Sequence, residues 1–352
     1  MGLDRLTILV VEDNGFARNM IAEILRAMKV GRVVTAADGA DAIGMLRQAA
    51  KHKTAAQVLG FDIILSDYLM SPINGTMLLR WSRQHDDSPD RFIPFIMISG
   101  VADSEVVREA RDMGTTEFLA KPFSVKSVAD HISALIDTPR PFIYCSAYFG
   151  PDRRRQKRPP REGERRVIKP EEQEVVYSTS KLKKPDPRIK TFVFNLPNRL
   201  REKVMGLGKG GPMTIDPELL KAAEQQLDRM EGDYSDWVRG TVKQLSDAYD
   251  KAMADDRARV AMVAQINRIS HDLRGQGTTF GYPLITVFGN SLFDCTVKIE
   301  KVSDKLLEFV RAHIDGITAV IRERIKGSGG AIGAELVESL ERTRERLANT
   351  VE

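Results

Sequence analysis

Apolar residues arrive in two rhythms along this 352-residue chain. In the first third, short unbroken runs alternate with stretches of helical spacing. The runs are Leu6–Val11, Phe61–Leu65, Ile93–Ile98 and Glu117–Ala120, with Val33-Val34 as a shorter fifth. A continuous apolar run of this length reads as a strand covered on both faces, the condition of a parallel sheet. Between the runs, helical spacing covers Phe16–Met28, Asp41–Ala49, the neighbourhood of Met77–Trp81, a segment from Asp103 or Ser104 to Met113, and Ser124–Asp137. Gly31 and Gly114 are natural helix stops, Ser88-Pro89-Asp90 breaks the third helix, and Thr138-Pro139 ends the last. Lys51–Gly60 reads as a loop. Five strand–helix units predict a flavodoxin-like α/β fold around a five-stranded parallel sheet.

The rhythm then fails. Prolines recur from Pro139 to Pro197, charge is dense, and long helices are excluded. This stretch reads as a long Pro/Arg-rich linker. Phe142-Ile143-Tyr144 and Thr191–Phe194 stand out in it as apolar patches that dock onto a domain. From Asp216-Pro217, a capping side chain before proline at the first helical position, the spacing is helical almost throughout. Helices are predicted over 217–230, 233–253, 255–279, 284–299, 302–326 and 332–348, forming an all-α bundle. The expected domains are 1–138, a linker over 139–212, and 213–352.

Composition changes this picture in three places. The net charge is +4, yet eight basic residues stand against three acidic ones between Asp152 and Arg166, a local surplus of 5. The basicity therefore belongs to the linker and the domains are near neutral. Binding to a nucleic-acid backbone is the functional reading of that run, but few aromatics interleave with it and no helix–turn–helix signature is visible. A solvated tether is the simpler reading. Cys145 and Cys295 have no metal-ligand spacing, which fits a reducing compartment. No apolar run approaches the roughly 20 residues of a membrane span, so a soluble cytoplasmic protein is expected.

The chemistry gathers where strands end. The first run stops on Glu12-Asp13, the next on Asp67, the third on Ser99 and the last on Lys121. Open α/β sheets place their sites at this carboxyl edge. Glu12, Asp13 and Asp67 supply the hard oxygens that Mg²⁺ takes, and Asp67 is a candidate nucleophile for an aspartyl phosphate. Lys121 offers a positive charge and Ser99 a hydroxyl donor for phosphoryl oxygens. Residues 4–137 resemble the receiver domain of bacterial two-component response regulators, through Val11-Glu12-Asp13-Asn14, Ser66–Gly75, Ile98-Ser99-Gly100 and Leu119–Phe123. The resemblance implies that Asp67 is phosphorylated and that Glu12, Asp13 and the backbone carbonyl of Leu69 join it around Mg²⁺. It further implies that Ser99 senses the phosphoryl group, Lys121 contacts it, and Phe118 is the mobile aromatic.

A second site lies at Ser270–Gly277. Met262, Ile266, Ile269, Leu273 and Phe280 form one apolar stripe at helical spacing. His271 falls nearly opposite, sharing its side with Ala264, Asn267, Arg268, Arg274, Gly275 and Thr278, so a surface histidine is expected. Gly275 would let a partner approach, and Arg268 and Arg274 would counter phosphoryl charge. His271, Leu273, Arg274 and Gly275 resemble the motif of histidine phosphotransfer domains, with arginine in place of lysine. Asp272 departs toward the acid that follows the histidine in sensor kinases, but no ATP-binding kinase domain follows. The implied partners are a sensor histidine kinase and a second receiver, and related helical phosphotransferases also pair as homodimers through the bundle. Two functions follow: a phosphorelay through Asp67 and His271, or a receiver-controlled switch whose helices bind a target and in which His271 is incidental.

Overall fold

The computed structural model describes residues 2–51, 60–100, 104–153, 173–176, 191–206, 211–297 and 299–349. The chain divides into two compact units, residues 1–120 with 125–226, and residues 121–124 with 227–352.

The first unit is built on the expected five-stranded sheet. Its strands are β1 (Thr7–Val11), β2 (Arg32–Ala36), β3 (Ile63–Asp67), β4 (Phe95–Ser99) and β5 (Glu117–Ala120), in the order β2-β1-β3-β4-β5 and all parallel. The inner strands are buried from end to end, except for Thr7 at the start of β1, which explains their unbroken apolar sequence. Leu9, Val11, Ile64, Phe95 and Met97 share one core with Leu78 and Leu79 of α3 (Gly75–Gln84) and Leu46 of α2 (Gly39–Lys51). By the two-residue period of a strand, Ile8, Val10, Leu65, Ile96 and Ile98 face the other way, and they are equally buried. The crossovers are completed by α1 (Gly15–Ala27), α4 (Ser104–Asp112) and α5 (Val125–Asp137). Most of the loop expected over Lys51–Gly60 lies outside the described residues.

The linker expected over 139–212 is corrected by a second sheet. Strands β6 (Phe142–Cys145), β7 (Tyr148–Pro151), β8 (Gln173–Val176) and β9 (Thr191–Phe194) pair in the order β7-β6-β9-β8. β6 is antiparallel to both β7 and β9, and β8 runs parallel to β9. Pro151 is tolerated because β7 is an edge strand. Phe142, Phe149, Phe192 and Phe194 form the core of this sheet and take in Phe92, which precedes β4 of the parallel sheet.

Arg83 anchors the two sheets. It is fully buried, and its guanidinium donates to the carbonyls of Gly114, Arg91 and Ile93 at 3.1, 2.9 and 2.8 Å while lying 5.2 Å from the Phe142 ring centroid. Burial lowers its pKa to about 10, which leaves it charged at neutral pH. Helix α6 (Arg199–Met205) is tied on as well: Asn198 donates to Ile136 O at 2.6 Å, Arg201 pairs with Asp137 at 2.8 Å, and Lys203 pairs with Asp62 at 2.6 Å. Asp62 precedes β3 and Asp67 ends it, so this attachment is at the edge of the sheet away from Asp67, about 17 Å along the strand. Arg153 pairs with Asp112 at 2.7 Å, and the rest of the arginine run lies outside the described residues.

After α7 (Pro217–Arg229), the C-terminal region contains α8 (Glu231–Ala254), α9 (Arg259–Gln276), α10 (Pro283–Thr296), α11 (Asp304–Arg322) and α12 (Gly330–Asn349). α8 packs on α9, α9 on α10, α10 on α11 and α11 back on α8, closing a cycle, and α12 lies against α11. Among the described residues, no helix is long and apolar enough to cross a membrane.

Candidate functional site

Glu12, Asp13 and Asp67 come together because β1 and β3 are neighbours in register, Val11 opposite Ser66. One oxygen from each lies within 4.8 Å of the others. Glu12 and Asp67 are buried, whereas Asp13 is exposed at the mouth. Three carboxylates this close repel one another unless a cation offsets them. The donor set is all hard oxygen with one ligand open to solvent, so it fits a small divalent ion.

The loops that hold these groups are pinned locally. Asn14 caps α1 by accepting from Ala17 N at 2.9 Å, and Asn74 caps α3 by accepting from Met77 N at 2.9 Å. Gly75 permits α3 to begin against the backbone of Asp67, since a Cβ there would stand 2.1 Å from Asp67 O. Asp67 Oδ2 accepts from Leu69 N at 3.2 Å, and Asp13 Oδ2 accepts from Ser71 N at 3.3 Å. Ser99, fully buried, ends β4 opposite Ala120, and Lys121, also buried, is next in the chain. Phe118 packs partly buried against the core beneath α3 and α4. Sequence reasoning missed two neighbours. Arg18 donates to Glu12 O at 2.6 Å and Asp13 O at 3.3 Å, and the Tyr68 hydroxyl donates to Glu109 of α4 at 2.9 Å. A basic residue one turn into α1 was the only signal for the first, and Glu109 had none.

Residues 8–133 match the family described as Response regulator receiver domain. This segment is a receiver domain. Chemotaxis protein CheY-3 of Vibrio cholerae is 24% identical over 132 residues, which is 38% of this chain and 92% of that protein. CheY of Pseudomonas aeruginosa is 26% identical over 132 residues, 38% of this chain and 97% of its own. Among solved structures, Vibrio cholerae CheY4 aligns at 25% identity over 37% of this chain and 98% of its own, with a TM-score of 0.31. The receiver domain of the Arabidopsis thaliana histidine kinase CKI1, in complex with Mg²⁺ and BeF₃⁻, aligns at 28% identity over 33% of this chain and 80% of its own, with a TM-score of 0.30. Receiver domains of two-component signalling accept phosphoryl on an aspartate and bind Mg²⁺ at an acidic pocket, and the acidic cluster is present here.

In the C-terminal region the expectation of a surface histidine is corrected. His271 is only 8% exposed and Arg274 only 6%. The cause is that α9 is covered on two sides, by α8 and by α10. Its most buried residues are Val263, Ile266, Ser270 and Leu273, and the side carrying Asn267, His271 and Arg274 is turned to α10. Asn267 Nδ2 donates to Phe293 O at 2.9 Å and to Thr296 Oγ1 at 3.0 Å. The Arg274 guanidinium lies 4.0 Å from the Phe293 ring centroid, and the His271 ring centroid is 6.1 Å from it. His271 Nδ1 is 3.6 Å from Asp272 Oδ1, beyond hydrogen-bond reach. Among the described residues, Nε2 of His271 has no hydrogen-bond partner.

His313 on α11 is the opposite case. It is fully buried, with Nδ1 2.7 Å from Phe309 O and Nε2 2.9 Å from Ser291 Oγ. A carbonyl can only accept, so Nδ1 carries the proton and Nε2 accepts from the hydroxyl. Burial lowers its pKa to about 4. This is a neutral packing histidine.

Proposed function

We propose that the chain is a phosphorelay protein of the cytoplasm, with Asp67 as phosphoacceptor in the receiver and His271 as the phosphotransfer residue of the helical region. The convergence of Glu12, Asp13 and Asp67 within 4.8 Å carries the first half of this reading. The second is supported by His271 and Arg274 lying near one ring, Phe293, at 6.1 and 4.0 Å from its centroid, with no hydrogen-bond partner for Nε2 of His271 among the described residues.

Asp67 attacks phosphorus on the phosphohistidine of a sensor kinase or phosphotransfer partner. A P–O bond forms, the P–N bond breaks, and the electron pair returns to the imidazole nitrogen. Ser99 donates a hydrogen bond to a phosphoryl oxygen and Lys121 offsets its charge. Glu12, Asp13, Asp67 and the Leu69 carbonyl would hold Mg²⁺, which when bound neutralises phosphoryl charge. Phe118 is the aromatic that responds to occupancy. At His271 the bond changes reverse: nitrogen attacks an aspartyl phosphate, P–N forms, P–O breaks, and carboxylate is released. Arg274 offsets the charge in transit.

The burial of His271 favours a second reading, since a docking histidine is expected to be displayed. In that reading phosphorylation of Asp67 exposes the helices to a target and His271 takes no phosphoryl. One experiment separates the two: incubation with Mg²⁺, a histidine kinase and radiolabelled ATP, comparing wild type with Asp67→Ala and His271→Ala. Alkali-stable label lost with His271→Ala supports the relay, and its loss with Asp67→Ala as well marks the route from receiver to helices. Alkali-labile label alone, lost with Asp67→Ala, supports the switch.

A further inference from the structure

We propose that Phe293 of α10 is a positioning residue that holds Arg274 against His271, an inference that rests on the phosphotransfer reading of His271. α9 and α10 run antiparallel with a fixed pairing. At one level a Cβ on Gly289 would lie 2.7 Å from Arg274 N, so the two backbones touch where only glycine fits. One turn along α10, Phe293 stands at the level of His271. A further turn on, Thr296 accepts from Asn267 at 3.0 Å. Asn267 also donates to Phe293 O at 2.9 Å, which fixes the helices against sliding.

Within this register one ring serves two side chains. The Arg274 guanidinium is 4.0 Å from the Phe293 centroid, close enough for strong attraction to the ring face. The imidazole of His271 is 6.1 Å from the same centroid, inclined at 54°. An arginine has many rotamers, and three residues along a helix from a histidine it has no covalent reason to stay near it. The aromatic face supplies that reason. With Arg274 only 6% exposed, little water competes for the cation, so the stacking is effective. Phe293 touches neither phosphorus nor its bonds, and it acts through Arg274.

The test uses the full chain with Mg²⁺ and radiolabelled phosphoramidate, reading the initial rate of alkali-stable label. Phe293→Leu and Phe293→Met keep apolar bulk without a π face, whereas Phe293→Tyr keeps the face. The expected result is a rate lowered about tenfold in Leu and Met, and near wild type in Tyr. In an Arg274→Ala background, Phe293→Leu costs nothing further, because the two act as one unit. Thermal unfolding followed by Trp237 fluorescence identifies a variant that has merely lost its fold, and the remaining non-aromatic variant then decides. A wild-type rate in Leu or Met, or an undiminished effect of Phe293→Leu without Arg274, overturns the proposal and leaves the relay standing. Absence of alkali-stable label on wild type, or its survival in His271→Ala, overturns the relay and the proposal together.

Discussion

The carboxyl edge of the receiver sheet and the α9–α10 pair both take charged side chains out of water, by different means. At the sheet edge, Glu12 and Asp67 are each 1% exposed because the strands beneath them are covered on both faces and end in register. On α9, His271 and Arg274 are buried because a second helix lies across a face that looks polar in sequence. A strand end is a placement device that the chain announces, since an apolar run must stop and what it stops on faces the opening. A helix face has no such marker. Its meaning depends on how many neighbours it meets.

The largest effect that tests this contrast is Asp67→Asn, which keeps shape and burial but removes the carboxylate proposed as nucleophile. Alkali-labile label should vanish while the Trp81 signal of receiver folding stays as in wild type. Retention of that label would place the phosphoacceptor elsewhere and undo the argument from strand ends. Next comes a comparison of two buried arginines. Arg83 donates to three carbonyls, and Arg83→Ala would leave them buried without it, costing roughly 3–5 kcal/mol in urea unfolding followed by Trp81. Arg274→Ala should instead lower alkali-stable labelling with a much smaller loss of stability at Trp237. Equal losses of stability would make both arginines structural.

The same contrast explains what was legible. The five parallel strands, the three acids, Ser99 and the six C-terminal helices could be read, because each rests on a local pattern that the fold does not override. The second sheet could not. Its strands have four residues each, two of them within a proline-rich, charged stretch, and their partners are remote: Phe142 pairs with Phe194. Only the apolar patches hinted at docking. His271 was misplaced for a related reason. The stripe through Met262, Ile266, Ile269, Leu273 and Phe280 gave one direction of burial, but Ser270 is fully buried and Gly277 admits no Cβ beside Thr286. Small and polar contacts of this kind carry no hydrophobic signal.

A smaller effect should appear with pH, through His313. Its folded pKa, near 4, lies below the unfolded value of 6.5, so the unfolded chain binds the proton more readily. His313 therefore opposes unfolding fully above pH 6.5, and that contribution fades as pH falls toward 4. The loss is on the order of 3 kcal/mol. Urea unfolding followed by Trp237 at pH 7.5 and 4.5 should show it, and His313→Gln should flatten the difference. An equal pH response in the variant would assign the effect to other groups.

The smallest expected effect falls at Gly289. A Cβ there meets backbone, 2.7 Å from Arg274 N and 3.0 Å from its Cα, and backbone cannot step aside as a side-chain tip can. Gly289→Ala should push α9 and α10 apart locally, at a cost of about 1–3 kcal/mol at Trp237, with Trp81 unchanged. If the helix pair rather than the strand edge sets the geometry around His271, alkali-stable labelling should fall in this variant while alkali-labile labelling of Asp67 persists. Stability lost without any change in labelling would mean that the close approach serves packing alone, and that Arg274 reaches His271 whatever the spacing of the helices.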